Sequence, residues 1–337
     1  MLKSKKFQIS LGLILSVFFL WLAFRKVSIP EMEEAFRTAD YWYFIPASIL
    51  MFFSLWFRAF RWKYFFKSIK PISMNNLFAS MMVGYMANNI FPMRLGEFLR
   101  AYSIGRTANV SKMSSFATII IERIIDLLTL LFLLGITFLF QPFPQWIRDS
   151  GYLIFAITLA SILFMGFLVY KTEPTLQFLK KLLSPFPEKF TSKILDSIES
   201  LIGGFGVLRT PRYFLIIAVL SLLIWACYVG IVQVIIVSFG LDTTYHLPLL
   251  ASVVVLIMTG IGVTIPSSPG YVGTYHYLAM QGLALYGVPG SEALSVAVVL
   301  HLFNFIPSTL VGLYYFGREN LNISDAVQEK ELVETVR

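Results

Sequence analysis

Hydrophobic residues occur along this chain in long continuous runs that contain few charged positions. A helix needs about 20 apolar residues to cross a bilayer, and six of the runs have roughly that length or more. Continuous runs exclude a membrane barrel, because barrel strands alternate apolar and polar positions. The pattern therefore predicts an all-α polytopic membrane protein with six full spans, at residues 7–24, 42–60, 115–140, 151–170, 213–239 and 293–316.

Two further apolar stretches, 74–112 and 248–288, are interrupted at their centres by proline, glycine and polar residues. Non-helical backbone is tolerated at membrane depth only where protein or a water-filled cavity surrounds it. We therefore expect two broken or re-entrant helical hairpins. If each stretch instead crosses the membrane twice, the predicted side of every other segment stays the same. The residues that mark the turns are Pro92 and Gly96 in the first hairpin and Pro266, Pro269, Gly270 and Gly273 in the second.

Composition supports a membrane protein and excludes several kinds of site. The mean hydropathy is +0.74, and only 14% of the 337 residues are charged. A single cysteine, Cys227, rules out an intrachain disulfide. The three histidines are spaced unlike any metal-binding motif, so we predict no metal and no cofactor.

The lysines and arginines concentrate on one predicted side of the membrane. If the N-terminus is cytoplasmic, most of the 27 cations fall in the inside segments, which are the N-terminus, 58–70, 94–112, 171–212 and the C-terminal tail. The positive-inside rule then places both termini in the cytoplasm. This distribution accounts for the formal charge of +8 without a nucleic-acid partner. We expect a multi-pass protein of the plasma membrane.

Under this topology the first hairpin opens from the cytoplasm and the second from the outside. Two interrupted segments of opposite orientation indicate an inverted-repeat transporter with a site near the midplane. We expect one transmembrane domain, 1–317, and a short cytoplasmic tail, 318–337. Within the domain, residues 174–208 are predicted to form an amphipathic cytoplasmic segment, which either lies on the inner leaflet or covers the end of the helical bundle.

Charged residues cluster where the first hairpin meets the following span. Spacings of three or four residues place neighbours on one helical face, and Asp126 lies roughly 15 Å along the span at 1.5 Å per residue. Ionisable groups at that depth cost about 3 kcal/mol each when unpaired, so they face protein or water. The six residues are Arg94, Glu97, Arg100, Glu122, Arg123 and Asp126.

Two interpretations of these six charges are open. Three cations and three anions can neutralise one another, which predicts a buried salt-bridge network that holds the hairpin against the span. Alternatively, an arginine binds an anionic headgroup, since guanidinium grips phosphate in a bidentate fork. Arg106 would add positive charge for that role, while Asn88 and Asn89 would supply amide donors at the bend. Both interpretations can hold together.

The second hairpin and the last span supply further polar candidates. His276 follows the second turn, and His301 lies in the last span. Buried histidines more often form structural hydrogen bonds than carry protons, and a polar or proton-carrying site is the alternative. Asn304 is expected to make a polar contact between helices.

Three strings, "NNIFPMRLGEFLRAYSIGR", "IIIERIIDLLTLL" and "PSSPGYVGTYHY", resemble the lysylphosphatidylglycerol synthase transmembrane-domain family. This is the flippase-like family that includes the membrane half of the multiple peptide resistance factor. The resemblance runs from about residue 8 to 317, and its most specific part is the N-x-x-P-x-R-x-G-E-x-x-R string that begins at Asn89. The chain departs from the family where many members have an acidic residue at the position of His276 and an arginine near that of His301.

The resemblance implies movement of a phospholipid or a lipid-linked anionic molecule between leaflets. It does not imply the synthase activity, which belongs to a soluble domain for which the tail leaves no room. Two other hypotheses stay open: a polytopic enzyme that acts on lipid-linked sugars, and a membrane subunit without transport of its own. We expect the lipid substrate and the bilayer as partners, and leave open a homo-oligomer or a separate partner protein.

Overall fold

Helices form nearly all of the regular structure in the described part of the chain, which contains no strand. The computed structural model describes residues 2–321 apart from 26, 68, 92–94, 141–154, 162, 165–166, 168–169, 184–208 and 266–267. The predicted all-α class is confirmed.

The principal helices of the described residues, in chain order, are α1 (Leu2–Phe24), α2 (Ile29–Thr38), α3 (Phe44–Phe65), α4 (Met74–Ile90), α5 (Gly96–Ala108), α6 (Lys112–Phe140), α7 (Thr172–Leu183), α8 (Pro211–Ser238), α9 (Leu241–Thr244), α10 (Leu249–Thr264), α11 (Thr274–Ala284) and α12 (Gly290–Arg318). Single 3-10 turns lie at Tyr41–Tyr43 and Pro269–Tyr271.

Three described helices are long and apolar enough to cross a membrane by themselves. They are Tyr41–Phe65, which includes α3, together with α8 and α12, and they have 25, 28 and 29 residues. α1 and α6 coincide with two further predicted spans. Residues 155–161 of the predicted span 151–170 are helical, although nearly half of that span lies outside the described residues. Most of the amphipathic segment 174–208 also lies outside them. The number of spans and the side of each terminus stay predictions.

α4 and α5 form the first hairpin, which we call hairpin 1. They pack against each other, and at 1.5 Å per residue their 17 and 13 residues extend about 25 and 20 Å, less than the ~30 Å of a bilayer core. A Cβ at Gly84 would lie 3.0 Å from the backbone oxygen of Gly96. The two glycines therefore allow the limbs to approach closely, and this approach positions α5 beside the neighbouring spans.

α10 and α11 form the second hairpin, hairpin 2. Their 16 and 11 residues extend about 24 and 16 Å, again less than the bilayer core. The turn between them contains Gly270 at φ +69° and Gly273 at φ +94°, a left-handed region that favours glycine. The hydroxyl of Ser16 on α1 donates to Val272 O at 2.8 Å and accepts from the Ser268 N–H at 3.0 Å. α1 thus holds the turn in place.

Contacts along α12 show that the two hairpins approach from opposite ends. The first half of α12 packs on hairpin 2 and reaches its turn where His301 Nε2 lies 2.7 Å from Gly270 O. The second half packs on hairpin 1, whose Asn89 amide donates to Ser308 and Thr309 at 3.1 and 2.9 Å. Positions 301 and 308 lie near the middle of the 29-residue helix. The two turns therefore meet at its mid-length.

The turns also touch each other. A Cβ at Gly270 would lie 3.3 Å from the backbone oxygen of Asn89. The opposite orientation of two interrupted segments, expected from the sequence, is thus present in the fold as two hairpins placed tip to tip.

Candidate functional site

A buried group of charged side chains, which we call the ion cluster, lies where α3, α5 and α6 converge. Hairpin 1 contributes one member through α5, so the cluster connects the hairpin to two other helices. Its members are Arg58, Arg61, Arg100, Glu122, Arg123 and Asp126.

Glu122 is the centre of the ion cluster. Its side chain has no solvent exposure. Arg100 donates to both of its oxygens, from Nη1 to Oε1 at 3.2 Å and from Nη2 to Oε2 at 2.8 Å. Arg58 and Arg123 each donate to Oε1 at 3.1 Å. One carboxylate thus accepts from three guanidinium groups on three different helices.

Asp126, one helical turn beyond Glu122, binds the two arginines of α3. Arg58 Nη2 donates to its Oδ2 at 3.0 Å, and Arg61 Nη2 donates to its Oδ1 at 2.7 Å. The spacing of four residues places both carboxylates on one face of α6, and the spacing of three places both arginines on one face of α3. The two faces meet and exclude solvent.

Hydroxyl and aromatic groups complete the surroundings of the arginines. Arg58 donates to the phenol oxygens of Tyr85 on hairpin 1 and Tyr228 on α8. Arg61 donates to Ser221 Oγ at 2.9 Å. The Arg100 guanidinium lies 3.7 Å from the centroid of the Trp62 ring, a cation–π contact.

Positive charge exceeds negative charge in the ion cluster. It has four guanidinium groups and two carboxylates, an excess of two positive charges among the described residues. The Nε atoms of Arg61 and Arg100 are buried without a hydrogen-bond partner. Arg123 differs from the other members, because 43% of its side chain is exposed. An unbalanced buried charge is costly at membrane depth, and Arg123 is the most exposed arginine of the cluster.

The sequence analysis missed Arg58 and Arg61. It assigned both to a cytoplasmic segment, 58–70, and named neither as a site candidate, whereas both side chains are buried in the ion cluster. The signal that could have found them is their position in the aromatic-rich string "WFRAFRW", where a three-residue spacing places both cations on one helical face.

The predicted neutral set of six charges is revised by the structure. The charges of the described members do not cancel, because Arg58 and Arg61 belong to the cluster and Glu97 does not. Glu97 Oε1 accepts instead from Asn88 Nδ2 at 3.4 Å. Asn88 Oδ1 accepts from the Gly96 N–H at 2.9 Å, so this side chain closes the turn at the start of α5. The Arg100–Glu122 pair of the cluster connects hairpin 1 to α6.

Other predicted site residues are distributed around the two hairpins. Asn89 binds α12, and Arg106 Nη1 donates to Asn320 O at 2.9 Å. The sequence predicts that the Asn304 amide contacts another helix. In the structure it donates instead to Leu300 O of its own helix, at 2.8 Å. Pro92, Arg94 and Pro266 lie outside the described residues.

The two buried histidines lie together at the turn of hairpin 2. The ring centroids of His276 and His301 are 4.7 Å apart. The residues that shape this turn are Pro269, Gly270 and Gly273, as the sequence predicts. Among the described residues, no group of three or more histidine, cysteine or acidic side chains could hold a metal ion.

These features define a multi-pass helical membrane protein in which two opposed hairpins meet beside a buried, cation-rich cluster. The profile of the family described as the lysylphosphatidylglycerol synthase TM region matches residues 9–312, and the chain belongs to this family. The family resemblance stated from the motifs is confirmed.

Several relatives of the chain come from archaea. A UPF0104 membrane protein of Methanothermobacter thermautotrophicus is 25% identical over 89% of this chain and 92% of its own length. One of Methanocaldococcus jannaschii is 22% identical over 93% of this chain and 95% of its own length. The glycosyltransferase AglD of Haloferax volcanii is 21% identical over 97% of this chain but only 57% of its own length. No solved structure matches the chain.

Proposed function

We propose that this protein translocates a phospholipid or a lipid-linked anionic molecule across the plasma membrane, by flipping or scrambling it. The observation that carries the proposal is the excess of two positive charges among the described residues of the buried ion cluster. A cluster built only for stability would be expected to balance its charges, because each unpaired buried charge destabilises the fold. A phosphate-bearing headgroup would supply the missing negative charge.

Arg123 is the residue through which a headgroup would first engage. It is bonded to Glu122 through Nη2 and is the most exposed of the four arginines, at 43% of its side chain. A guanidinium can hold a carboxylate and a phosphate oxygen at once, because it has five N–H donors in a planar fork. Arg123 could therefore bind a phosphate without leaving the cluster.

The opposed hairpins support a path for that headgroup. Each hairpin extends less than the bilayer thickness, and their turns meet at the middle of α12. Interrupted helices that meet at membrane depth are typical of transporters with a central binding site. Hairpin 1 contributes Arg100, which donates to Glu122, and Tyr85, which accepts from Arg58. Movement of this hairpin would therefore change these contacts of the ion cluster.

Lipid movement can be measured directly with the purified full chain in liposomes. Fluorescent phosphatidylglycerol and phosphatidylcholine are incorporated, and dithionite quenches the label in the outer leaflet. We expect a faster loss of inner-leaflet fluorescence than in protein-free liposomes. Arg123→Gln should slow this movement by about tenfold, the cost of one charge-assisted hydrogen bond. Arg37→Gln, which removes an exposed cation of α2, is the matched control and should keep the parent rate.

The proposal fails if folded parent protein moves no anionic or zwitterionic lipid faster than empty liposomes. It also fails if Arg123→Gln and Arg37→Gln keep equal rates, because the cluster would then play no part in the movement. Circular dichroism and size exclusion establish that each variant is folded before rates are compared.

A second candidate is a role in the chemistry of lipid-linked sugars. The similarity to glycosyltransferase AglD over 97% of this chain favours it. Under this hypothesis, incubation with lipid-linked sugar donors gives turnover by the purified protein, and Glu97→Gln removes that turnover. Glu97 is suited to the test because its carboxylate lies outside the ion cluster and accepts from Asn88.

A further inference from the structure

The residues that follow α12 fold back onto hairpin 1. The Asn320 N–H donates to Gly317 O at 3.2 Å, and the Leu321 N–H donates to Phe316 O at 3.3 Å. Asn320 itself is in the left-handed region, at φ +49°. This pair of bonds is a Schellman motif, which satisfies the last carbonyls of a helix and reverses the chain. We call residues 319–321 the α12 turn.

Each residue of the α12 turn contacts hairpin 1. Glu319 Oε2 accepts from Ser103 Oγ at 2.8 Å. The backbone oxygen of Asn320 accepts from Arg106 Nη1 at 2.9 Å. The Leu321 side chain is buried in a hydrophobic cluster to which both limbs of the hairpin contribute. The buried members of this cluster from hairpin 1 are Val83, Met86, Ala87, Leu99 and Tyr102.

The bond to Glu319 continues across the hairpin. Ser103 Oγ also lies 2.7 Å from Ser80 Oγ on α4, and both serines are buried. A hydroxyl has one hydrogen, and Ser103 donates its own to Glu319, so Ser80 is the donor to Ser103. A chain of hydrogen bonds therefore runs from α4 through α5 to the α12 turn. The turn is thus bonded to both limbs, directly to α5 and through Ser103 to α4.

The limb that the α12 turn holds is also the limb that enters the ion cluster. Arg100, Ser103 and Arg106 are spaced three residues apart on α5. Arg100 Nη2 pairs with Glu122 Oε2 on α6 at 2.8 Å. Because the three residues belong to one short helix, an outward movement of α5 would break the Arg100–Glu122 pair and the contacts with the α12 turn together.

The contacts of the α12 turn can be released without opening the interior of the bundle. Arg106 and Asn320 are exposed and Glu319 is half-buried, so water can replace their hydrogen bonds. Leu321 opposes release, because its side chain is only 7% exposed. Segments with few buried apolar contacts and with exposed hydrogen bonds open locally before the rest of a fold. Within residues 319–321, Leu321 therefore decides how firmly the turn is docked.

We propose that the α12 turn is a latch that keeps hairpin 1 closed against α6 and α12, and that the hairpin moves only after the turn is released. A contact that served stability alone would, when removed, weaken the whole fold. Removal of a latch instead opens one hairpin and leaves the other elements closed. The consequence for lipid movement rests on the proposed function, whereas the opening of the hairpin does not.

Amide exchange of the purified full chain, followed by mass spectrometry, measures the opening of hairpin 1. We expect Leu321→Ala to increase exchange across the whole of α5 by about tenfold, the effect of losing one buried leucine side chain. Exchange in α10 and α11 of hairpin 2 should stay at the parent value. Leu313→Ala is the matched control, because Leu313 lies on α12 with a side chain that is 46% exposed, and it should leave both hairpins unchanged.

Arg106→Gln tests the same latch through an exposed side chain whose replacement leaves the core intact. It removes the bond to Asn320 O, and we expect exchange across α5 to rise about fivefold, the effect of one hydrogen bond. The rise should cover all of α5, since a latched helix opens as one unit. A rise limited to residues 103–108 in both variants would show fraying beside the turn and would overturn the latch. Exchange that neither variant changes would overturn it as well.

Lipid movement in liposomes provides the second measurement. We expect Leu321→Ala to move fluorescent phosphatidylglycerol faster than the parent protein, and Leu313→Ala to keep the parent rate. A rate at or below that of the parent in folded Leu321→Ala protein would contradict a latch that limits movement. If the parent moves no lipid while α5 still opens in the two latch variants, the proposed function fails and the latch stands.

Discussion

Arg100 on hairpin 1 and Glu122 on α6 form a bidentate ion pair, with Nη1–Oε1 and Nη2–Oε2 distances of 3.2 and 2.8 Å. The two residues are 22 positions apart in the chain and lie on different helices. Both guanidinium ends are occupied, and the ring of Trp62 covers the face of Arg100. The pair therefore orients hairpin 1 relative to the spans, and it explains why a charged limb of a hairpin is retained inside an apolar protein.

Replacing Glu122 by glutamine should destabilise the fold strongly. The change removes the negative charge of a carboxylate that accepts from three arginines. Removing one partner of a buried ion pair costs roughly 3–5 kcal/mol of folding free energy. We expect a lower midpoint of thermal unfolding in detergent, measured by intrinsic tryptophan fluorescence. Glu97→Gln is the matched control, since Glu97 bonds to Asn88 and, among the described residues, to no arginine of the ion cluster. Equal midpoints for the two variants would contradict the central position of Glu122.

Gly84→Ala should destabilise hairpin 1 by about 1–3 kcal/mol through overpacking. The new Cβ would lie 2.9 Å from Arg100 Cβ and 3.0 Å from Gly96 O, and the second neighbour is backbone that cannot rotate away. Gly317→Ala is the control, because a Cβ there meets nothing within 4 Å and helical alanine is favoured over glycine. The measurement is again thermal unfolding. A Gly84 variant as stable as the Gly317 variant would show that the limbs can separate freely.

Asn89→Ala should loosen the junction between the two turns. The amide donates to Ser308 and Thr309 on α12, and its loss leaves hydroxyl groups short of a donor, at a cost of about 1–3 kcal/mol. Amide exchange should rise in the segments that contain both turns, although only hairpin 1 carries the substitution. Asn75→Ala, at the exposed start of α4, is the comparison for an asparagine away from the junction. An increase in amide exchange that is confined to hairpin 1 would contradict a direct contact between the turns.

The Glu319 side chain is expected to make the free energy of unfolding depend on pH. It follows the end of α12 and accepts from Ser103 Oγ on α5 at 2.8 Å. Burial raises the pKa of the Glu319 carboxyl above its usual value, and the bond from Ser103 opposes part of that shift. A carboxyl with a raised pKa in the folded state favours folding at low pH, and its contribution is lost as pH rises through the folded pKa.

We therefore expect Glu319→Gln to raise the unfolding midpoint at pH 7.5, because a neutral amide can still accept from Ser103 without a buried charge. The difference from the parent should close as pH falls below about 4.3, the ordinary pKa of glutamate. Thermal unfolding across this pH range is the measurement. Glu34→Gln on the exposed face of α2 is the control. A difference that persists at low pH would show that Glu319 acts through packing rather than through its charge.

Much of the fold could be predicted from the sequence because apolar length and helix breakers act locally. The predicted hairpin stretches, 74–112 and 248–288, contain the helix pairs found as α4 with α5 and α10 with α11. Glycines at positive φ lie in the predicted turn of hairpin 2, since other residues are strained there. The residues Glu122, Arg123 and Asp126 were predicted as intramembrane charges and are members of the ion cluster.

The composition of the candidate site could not be predicted in the same way. Arg58 and Arg61 satisfy the positive-inside pattern of a cytoplasmic segment equally well, and sequence position does not show that α3 directs them toward α6. Glu97 has the spacing of a network member, yet its carboxylate is turned toward Asn88 at the bend. Each assignment depended on which helices lie side by side.

The sequence by itself determined that this chain is a helical membrane protein of a known family with two interrupted segments, because hydrophobic length, helix breakers and short motifs are properties of neighbouring residues. Only the tertiary structure decided that the hairpins meet tip to tip, that four arginines share two carboxylates, and that His276 contacts His301. The contacts between helices join residues from 22 to 220 positions apart. Helices pack through whole faces, and no local pattern specifies which face a distant helix will meet.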